Sequence, residues 1–273
     1  MTNERINEIK HNTKVRFAEY TRHYDMSQPK IALKAAHTYR VADFCQQIAR
    51  SIGLSEEEVL VAWMTGMLHD ISRFEQVRRF DTFYDSLSVN HAMLSCEILW
   101  GTSSMPHDLI CTEEGFPEKG IIREFIEETK YDNIIRAAIW EHNTYRISEG
   151  LDEKTVMFCN ILRDADKVDI FRVNTETPLN EIHNVPIEEF YNSEVTDEVM
   201  DSFMEHHCVL SSLKKTAIDN VVGYASLYWE LVYEKSKELA MEQGYLNKLC
   251  NIKTNNEKAR ACFETVRKEL GLE

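Results

Sequence analysis

Apolar residues recur at three- and four-residue steps along most of the chain, which is the spacing of an amphipathic α-helix. The clearest case is residues 31–52, where the apolar side chains fall on one face and Gly53 follows as a natural C-terminal stop. Ser55 and Glu58 then form a capping box, which is typical of a helix N-terminus. This pair predicts the start of a second helix, and the apolar spacing carries that helix to residue 70.

Further helices are predicted along the rest of the chain, and irregular stretches separate them. The helices are predicted at residues 90–101, 121–129, 133–142, 154–171, 197–243 and 257–270. Residues 72–89 are interpreted as a loop with a short helix, residues 102–120 as a surface loop, and residues 174–196 as an excursion from the helical core. Because only 9 glycines and 5 prolines are present to form tight turns, the chain is predicted to be all-α.

The composition limits what the protein binds. A formal net charge of −15 argues against a partner that is a nucleic-acid polymer, because neutralising a phosphate backbone needs a basic surface. A small phosphorylated substrate stays compatible with this charge, since a bound divalent cation and a few arginines reverse the local field. The 7 cysteines are scattered and never form a C-x-x-C pair, which predicts core thiols in a reducing compartment.

The sequence carries no sign of export or membrane insertion. Its N-terminal segment is charged throughout and lacks the apolar stretch of a signal peptide. No run approaches the ~20 apolar residues that span a bilayer. We therefore expect a cytoplasmic protein with no membrane partner.

The candidate functional residues are histidines and aspartates that lie on predicted helices or at their ends. His37 lies on the same face as Phe44 and Ile48, so it is either a core histidine or an inward-facing ligand, and taken alone the first interpretation is favoured. His69 and Asp70 are adjacent, and neighbouring side chains on an α-helix point about 100° apart. Both can approach one ion only where the helix ends, and the apolar pattern degrades just after this pair.

A third candidate lies in the helix predicted at residues 154–171. Asp164, Asp166 and Asp169 fall on an otherwise apolar helix, where they cannot all face solvent. Asp166 shares a side with apolar neighbours, so it is the best candidate for an inward-facing ligand. The alternative is a solvated face that the aspartates form with Lys167.

Two further histidines fit the same description. His91 opens the helix predicted after Asn90. His142 ends the helix whose inner face carries Ile135 and Ile139.

The order of these candidates resembles the HD-domain superfamily of metal-dependent phosphohydrolases. In chain order they are His37, His69-Asp70, His91, His142 and Asp166. The local sequence is similar as well, in H-T-Y-R-V-A from residue 37, M-L-H-D-I-S-R-F from residue 67 and A-D-K-V-D from residue 165. The resemblance covers residues 31–172 and implies a bundle of core helices with the metal at its centre.

The same resemblance divides the chain. Residues 1–172 are predicted to be the metal-binding helical core. Residues 173–273 are predicted to be a C-terminal helical extension that packs on this core, the two forming one continuous domain.

The resemblance implies a divalent metal ion with the ligands His37, His69, Asp70 and Asp166. Imidazole and carboxylate donors suit Mn²⁺, Fe²⁺, Co²⁺, Ni²⁺, Zn²⁺ or Mg²⁺, and the absence of thiolates disfavours a structural zinc. In a binuclear site Asp70 bridges two ions and His91 and His142 bind the second. In a mononuclear site these histidines contact substrate or transfer protons, which makes Asp70, His91 and His142 the catalytic candidates. One tightly held ion is slightly favoured.

Cations close to these ligands are candidates for binding a substrate phosphate. They are Arg40, Arg73 and Lys167, each within three residues of a ligand candidate. Arginine in particular forms a two-pronged hydrogen bond with phosphate. For Arg40 and Lys167, an ordinary surface charge is an equally favoured interpretation. Glu141, next to His142, is a weaker candidate for proton transfer.

Together these predictions indicate an enzyme that hydrolyses a small phosphorylated metabolite or nucleotide with a metal-activated water. Phosphomonoesterase, phosphodiesterase and nucleotide pyrophosphohydrolase activities are all left open. Two other classes remain as alternatives: an HD-type di-iron oxygenase with the same ligand set, and a regulatory module that binds a nucleotide without turning it over. The oligomeric state is also open, a homodimer included.

Overall fold

The computed structural model is all-α, as the sequence predicts, with no strand among the described residues. The described residues are 1–102, 119–179, 182 and 185–272. The chain divides into two compact units, Met1–Ala165 and Asp166–Glu273, whose boundary falls inside one long helix. The sequence placed a division after residue 172. Most of the surface loop predicted at residues 102–120 lies outside the described residues.

The first unit contains the helices on which the apolar spacing is most regular, together with an N-terminal helix that the spacing did not predict. They are α1 (Asn3–Thr21), α2 (Pro29–Ser51), α3 (Glu56–Leu68), α4 (Arg73–Phe80), α5 (His91–Trp100), α6 (Ile122–Phe125), α7 (Asp132–Glu141) and the first part of α8 (Glu153–Glu176). Short 3-10 turns lie at Asp85–Leu87 and Thr129–Tyr131. The helices α2, α3, α5 and α7 agree closely with their predicted bounds, and α4 is the short helix expected after residue 72.

Helices α2 and α3 approach each other closely at Gly66. A Cβ atom added at Gly66 would lie 2.6 Å from the Cα atom and 2.8 Å from the backbone nitrogen of Ala42, so only glycine fits there. The predicted capping box is present at the N-terminus of α3, where Ser55 and Glu58 each accept a backbone hydrogen bond from the other. The sequence therefore sets where α3 begins, and the glycine sets how near it lies to α2.

Helix α1 is an element that the sequence analysis did not assign. Its buried residues recur every three or four positions and are Ile6, Ile9, Thr13, Phe17 and Thr21. The hydroxyl of Thr13 donates to the carbonyl of Phe125 at 3.2 Å, and the hydroxyl of Tyr20 donates to the carbonyl of Ile71 at 3.1 Å. The apolar stripe is narrow and many charged residues surround it, so it is visible only once the partners of α1 are known.

The helix predicted at residues 121–129 is shorter than expected. It ends at Phe125, and Ile126 adopts an extended backbone with a buried side chain. Burial of this side chain therefore outweighs continuation of the helix. By contrast α8 runs to Glu176, beyond its predicted end at residue 171.

The second unit contains the rest of α8 and a series of shorter helices. They are α9 (Ile187–Asn192), α10 (Asp197–Met204), α11 (Asp219–Ser226), α12 (Glu234–Glu242), α13 (Tyr245–Cys250) and α14 (Glu257–Glu269), with 3-10 turns at Ser211–Leu213 and Leu227–Glu230. The prediction that residues 197–243 are helical throughout was therefore wrong, because this range contains several short helices with breaks between them. Among the described residues, no helix combines the length and the apolar character needed to cross a membrane.

Asp219 and His206 account for the break between α10 and α11. The buried carboxylate of Asp219 accepts hydrogen bonds from the backbone N–H groups of Thr196, Lys215 and Thr216, at 2.8, 2.8 and 2.9 Å. A buried carboxylate needs several such donors, and the segment before α11 leaves the helical path to supply them. His206 follows α10 in the left-handed region, with φ of 60°, which stops the helix.

Candidate metal centre

Five buried side chains of the first unit converge at the ends and inner faces of its helices. They are His37 in α2, His69 and Asp70 just after α3, His91 at the first position of α5, and His142 just after α7. The ligand atoms of His37, His69 and Asp70 lie within 4.8 Å of one another, and so do those of Asp70, His91 and His142. The structure thus brings these sequence-predicted residues into two triads that share Asp70.

The end of α3 allows the adjacent residues His69 and Asp70 to face one centre. The helix stops one residue before His69, and hydrogen bonds to α5 hold the turn that follows. The hydroxyl of Ser95 donates to the carbonyl of His69 at 2.8 Å, and the hydroxyl of Ser72 donates to the carbonyl of His91 at 2.7 Å. These bonds fix the turn relative to the first turn of α5, where the next histidine lies.

Each carboxylate oxygen of Asp70 faces a different pair of histidines. Its Oδ2 atom lies 3.6 Å from Nε2 of His37 and 3.4 Å from Nε2 of His69. Its Oδ1 atom lies 3.7 Å from Nε2 of His91 and 3.8 Å from Nε2 of His142. A carboxylate with two such faces can serve two neighbouring cations, one on each oxygen.

Backbone carbonyls orient two of the imidazole rings. Nδ1 of His69 lies 2.8 Å from the carbonyl oxygen of Gly66, and Nδ1 of His142 lies 2.6 Å from that of Ile139. A carbonyl oxygen only accepts, so each Nδ1 carries the hydrogen and each Nε2 keeps its lone pair. This is the tautomer that binds a metal through Nε2.

A carboxylate orients the third ring. Nδ1 of His91 lies 2.6 Å from Oδ2 of Asp85. Asp85 also accepts hydrogen bonds from Arg73, Gln76 and Asn143. Partial burial raises the pKa of Asp85, but the hydrogen bond from His91 and the charge of Arg73 outweigh burial and leave that pKa below its usual range. Asp85 is thus an ionised acceptor that holds His91 by its Nδ1–H group.

The facing nitrogens of His91 and His142 indicate a positive charge between them. Their Nε2 atoms lie 2.9 Å apart, and in both rings Nδ1 already donates elsewhere. Two Nε2 lone pairs at this distance repel unless a proton or a cation lies between them. Burial and the charge of Arg73 lower the pKa of His91, which disfavours the extra proton. The donor set therefore fits a divalent cation.

Asp70 itself is held in its ionised form by cations. Lys34 places its Nζ atom 2.6 Å from Oδ2, and Arg73 places its Nε atom 3.4 Å from Oδ1. Burial raises the pKa of Asp70, but the charges of Lys34 and Arg73 hold that pKa well below its usual range. Among the described residues, no group donates a hydrogen bond to the buried Oδ1 atom of Asp70. A buried carboxylate oxygen in this state is suited to a metal ion.

Of the predicted phosphate-binding cations, the structure places Arg73 at this centre. Its Nη2 atom lies 3.2 Å from Nε2 of His91. The guanidinium of Arg40 lies 5.3 Å from the ring centre of Phe44, and Lys167 is a half-buried residue of the second unit. The phosphate-binding roles of Arg40 and Lys167 stay predictions. Glu141 is buried and accepts hydrogen bonds from Thr144 and Ser148, in the turn after α7.

The three aspartates of α8 differ in their exposure to solvent. Asp164 and Asp169 are fully buried, whereas Asp166 is half-buried. Asp169 is compensated by Arg172, whose Nε and Nη2 atoms donate to its carboxylate at 3.0 and 2.8 Å. Exposure alone does not show which of these carboxylates faces a bound ion, so the expectation that Asp166 is the inward-facing ligand stays a prediction. Asp166 belongs to the second unit, and its role as a metal ligand stays a prediction.

Two residues of the centre escaped the sequence analysis. Lys34 lies one helical turn before His37, so helical spacing could have identified it. Asp85 lies six residues before His91 in a stretch with no periodic pattern, and no sequence signal marks it.

Comparison with known proteins gives one match. Residues 35–170 match the family model described as the HD domain, and they contain every histidine and aspartate of the two triads. No curated protein and no solved structure matches the chain significantly.

Proposed function

The chain belongs to the HD-domain superfamily, and from this premise we propose that it is a metal-dependent phosphohydrolase acting on a small phosphorylated metabolite or nucleotide. The observation that carries the proposal is the pair of buried donor triads sharing Asp70. Imidazole and carboxylate donors without thiolates are typical of catalytic divalent cations. Mn²⁺, Fe²⁺, Co²⁺, Ni²⁺, Zn²⁺ and Mg²⁺ are all compatible with this set.

We assign each histidine to an ion by the oxygen of Asp70 that it faces, and Asp166 is added only because the family resemblance implies it. The proposed ligands of the first ion are His37, His69, Asp70 and Asp166. His91 and His142 lie on the other oxygen of Asp70 and would hold a second ion. Where only the first ion is bound, these two histidines would contact the substrate or transfer a proton to its leaving oxygen.

Such an ion lowers the pKa of a bound water molecule and polarises the phosphoryl oxygen. The chain's own residues would place the substrate. The guanidinium of Arg73 is held by Asp85 at 3.2 Å and by the carbonyl of Phe83 at 2.8 Å, so its direction is fixed beside the centre. A fixed planar guanidinium suits two phosphoryl oxygens at once. Burial of the donors excludes bulk water and strengthens their electrostatic interactions.

The test is a screen of phosphorylated metabolites with several divalent metals, measured as released phosphate. His69→Ala and Asp70→Ala are expected to abolish turnover while circular dichroism shows nearly unchanged helical content. His11→Ala changes an exposed histidine of α1 and is expected to keep full activity. Turnover that survives His69→Ala and Asp70→Ala would contradict the proposal.

A second candidate is a di-iron oxygenase, and the two adjacent triads favour it over a regulatory module. A carboxylate shared by two metal positions is as suited to two irons as to two hydrolytic cations. Anaerobic purification followed by metal analysis and measurement of O₂ consumption separates the classes. Bound iron with substrate-dependent O₂ uptake and no phosphate release would favour the oxygenase.

A further inference from the structure

Lys34 lies closer to the shared carboxylate than the other nearby cation, Arg73. Its ammonium nitrogen is 2.6 Å from Oδ2 of Asp70, and its side chain is only 12% exposed. Lys34 precedes His37 by about one turn of α2, so the two side chains extend from one face of the helix. The ammonium also lies 5.4 Å from the ring centre of Phe83, an apolar neighbour that limits its contact with water.

The oxygen that Lys34 contacts is the one that faces the first pair of histidines. Oδ2 of Asp70 lies 3.6 Å from Nε2 of His37 and 3.4 Å from Nε2 of His69. An ion held by these donors would share this oxygen with the ammonium of Lys34. Two cations at one buried oxygen repel each other strongly, because little water is present to screen their charges.

We propose that Lys34 is a positioning residue that competes with the first metal ion for Oδ2 of Asp70. Without metal, the ammonium neutralises the buried carboxylate and keeps the centre folded. When the ion binds, it takes over this neutralisation and the ammonium leaves Oδ2. The inference rests on the metal site of the proposed function and goes beyond it, since Lys34 is not among the ligands of that site.

A competing Lys34 and a supporting Lys34 predict opposite changes in metal affinity when the charge of Lys34 is removed. If Lys34 only oriented Asp70 for the ion, removal of its charge would weaken metal binding. If Lys34 competes, removal of its charge tightens metal binding and destabilises the metal-free protein, because a buried carboxylate loses its counter-charge. If the metal-loaded proteins are equally stable, thermodynamic linkage makes the stability lost by the metal-free variant equal to its gain in metal-binding free energy. The rise in Tm on adding metal is then larger in the variant.

The test compares the wild-type protein with Lys34→Met, which keeps a long side chain and removes the charge. Each protein is stripped with a chelator, Mn²⁺ is titrated by calorimetry, and thermal unfolding is recorded with and without Mn²⁺. We expect Lys34→Met to bind Mn²⁺ about tenfold more tightly. We also expect its Tm to fall below that of the wild type in the chelated protein and to approach it in the Mn²⁺-loaded protein.

Two matched variants serve as controls. Lys30→Met removes a lysine one turn earlier in α2, whose ammonium lies 2.7 Å from the exposed carboxylate of Asp81. It is expected to leave Mn²⁺ affinity unchanged. Lys34→Arg keeps the positive charge and is expected to keep nearly the wild-type affinity. Should Lys34→Met not fold, Lys34→Gln replaces it with the same expected sign.

If Lys34→Met, or Lys34→Gln in its place, binds Mn²⁺ as tightly as the wild type or more weakly, the proposal that Lys34 competes with the ion is wrong. Failure of the proposed function gives a different result, since a wild-type protein that binds none of the divalent cations would contradict the metal site itself. If the wild-type protein binds Mn²⁺ but hydrolyses no phosphate ester, the proposed function fails. The change in Mn²⁺ affinity in Lys34→Met can still be measured, and its direction still decides whether Lys34 competes with the ion.

Discussion

The two sides of Asp70 are built by different forces. On the α2–α3 side, which we define by His37 and His69, the donors are placed by close packing of two helices. Gly66 allows the backbones of α2 and α3 to meet, and its carbonyl also orients the ring of His69. The position of these donors therefore depends mainly on volume, because an interior packed this closely has no room for an added atom.

On the α5–α7 side, which we define by His91 and His142, polar groups take a larger part. Asp85 comes from the turn before α5 and accepts hydrogen bonds from His91, Arg73 and Gln76. Its side chain is 29% exposed, so water reaches the network. The position of His91 therefore depends on charge and hydrogen bonding.

This difference leads us to expect that the two sides bind a metal ion with different affinities. A rigid pair of donors binds an ion without the cost of ordering side chains, whereas a water-accessible network can rearrange. We therefore expect the α2–α3 side to hold the tighter ion and the α5–α7 side to hold the weaker one. The following predictions test this comparison.

The largest effect is expected from removing one histidine on each side. His37→Ala should lose the tighter ion and lower kcat/KM on the order of 10³-fold, since the ion supplies several kcal/mol of charge stabilisation. His142→Ala should keep the tighter ion and lose less activity. Metal content after dialysis and kcat/KM on the best substrate of the screen measure both. Equal loss of metal from the two variants would contradict the assignment of the tighter ion to the α2–α3 side.

The next largest effect is expected from adding one side-chain atom at the contact between α2 and α3. Gly66→Ala places a Cβ atom 2.6 Å from the Cα of Ala42, so α2 and α3 must separate. We expect a loss of about 1–3 kcal/mol in the free energy of unfolding, measured with urea, together with weaker binding of the tighter ion. Gly53→Ala is the control, because a Cβ there meets no atom within 4 Å and only its φ of 78° is strained. It should reduce stability without changing metal affinity.

A smaller effect is expected from the polar side. Asp85→Asn keeps the shape of the side chain but removes the charge that holds His91 and Arg73. Such partners of a ligand typically contribute about 10- to 100-fold to metal affinity or activity. The loss should fall on the weaker ion, as calorimetry can resolve. Asp81→Asn, at an exposed position, should change neither ion, and loss of the tighter ion in Asp85→Asn would refute the comparison.

The smallest effect is expected in α4, the helix that carries Arg73. Burial raises the pKa of Glu75, but hydrogen bonds from Arg78 and Arg79 outweigh it and lower that pKa overall. A lowered pKa stabilises the fold above the unfolded value of about 4.3, and this stability is lost as pH falls through the folded value. Solvent screens the ion pair with Arg78, which is 60% exposed, whereas Arg79 is 14% exposed. The effect stays small because ion pairs at these spacings within one helix contribute only about 0.2–0.5 kcal/mol each.

Urea midpoints measured between about pH 5 and pH 3 test this last prediction. The wild type should lose more stability over that interval than Glu75→Gln, which has no charge to lose. Parallel slopes for the two proteins would show that Glu75 contributes nothing to the pH dependence.

Within the first unit the sequence predicted α2, α3, α5 and α7 well, because their apolar faces are regular and their ends carry local signals, whereas it did not assign α1. Ser55 and Glu58 mark the start of α3 by themselves, since a capping box needs only residues of one turn. The break between α10 and α11 could not be predicted in this way. It depends on Asp219, whose buried carboxylate binds backbone groups as far away as Thr196.

In the candidate site, too, some residues could be identified from the sequence and others only from contacts between distant segments. Chain order and local sequence identified His37, His69, Asp70, His91 and His142, and the structure brings all of them together. Sequence reasoning missed Lys34 and Asp85, although Lys34 lies on the helical face of His37. It also did not foresee that Asp164 and Asp169 are fully buried while Asp166 is half-buried, because apolar spacing along one helix does not show which neighbour covers each face.

By itself, the sequence determined the all-α class, the bounds of the strongest helices and the identity of the histidine donors. The class and the helix bounds follow from interactions within a few residues, which spacing along the chain records directly. The histidines were identified by the resemblance to a known family. Only the tertiary structure decided which oxygen of Asp70 faces which histidine pair, and that Lys34 lies against one of those oxygens. Such distances join atoms from separate helices, and they depend on how closely those helices pack.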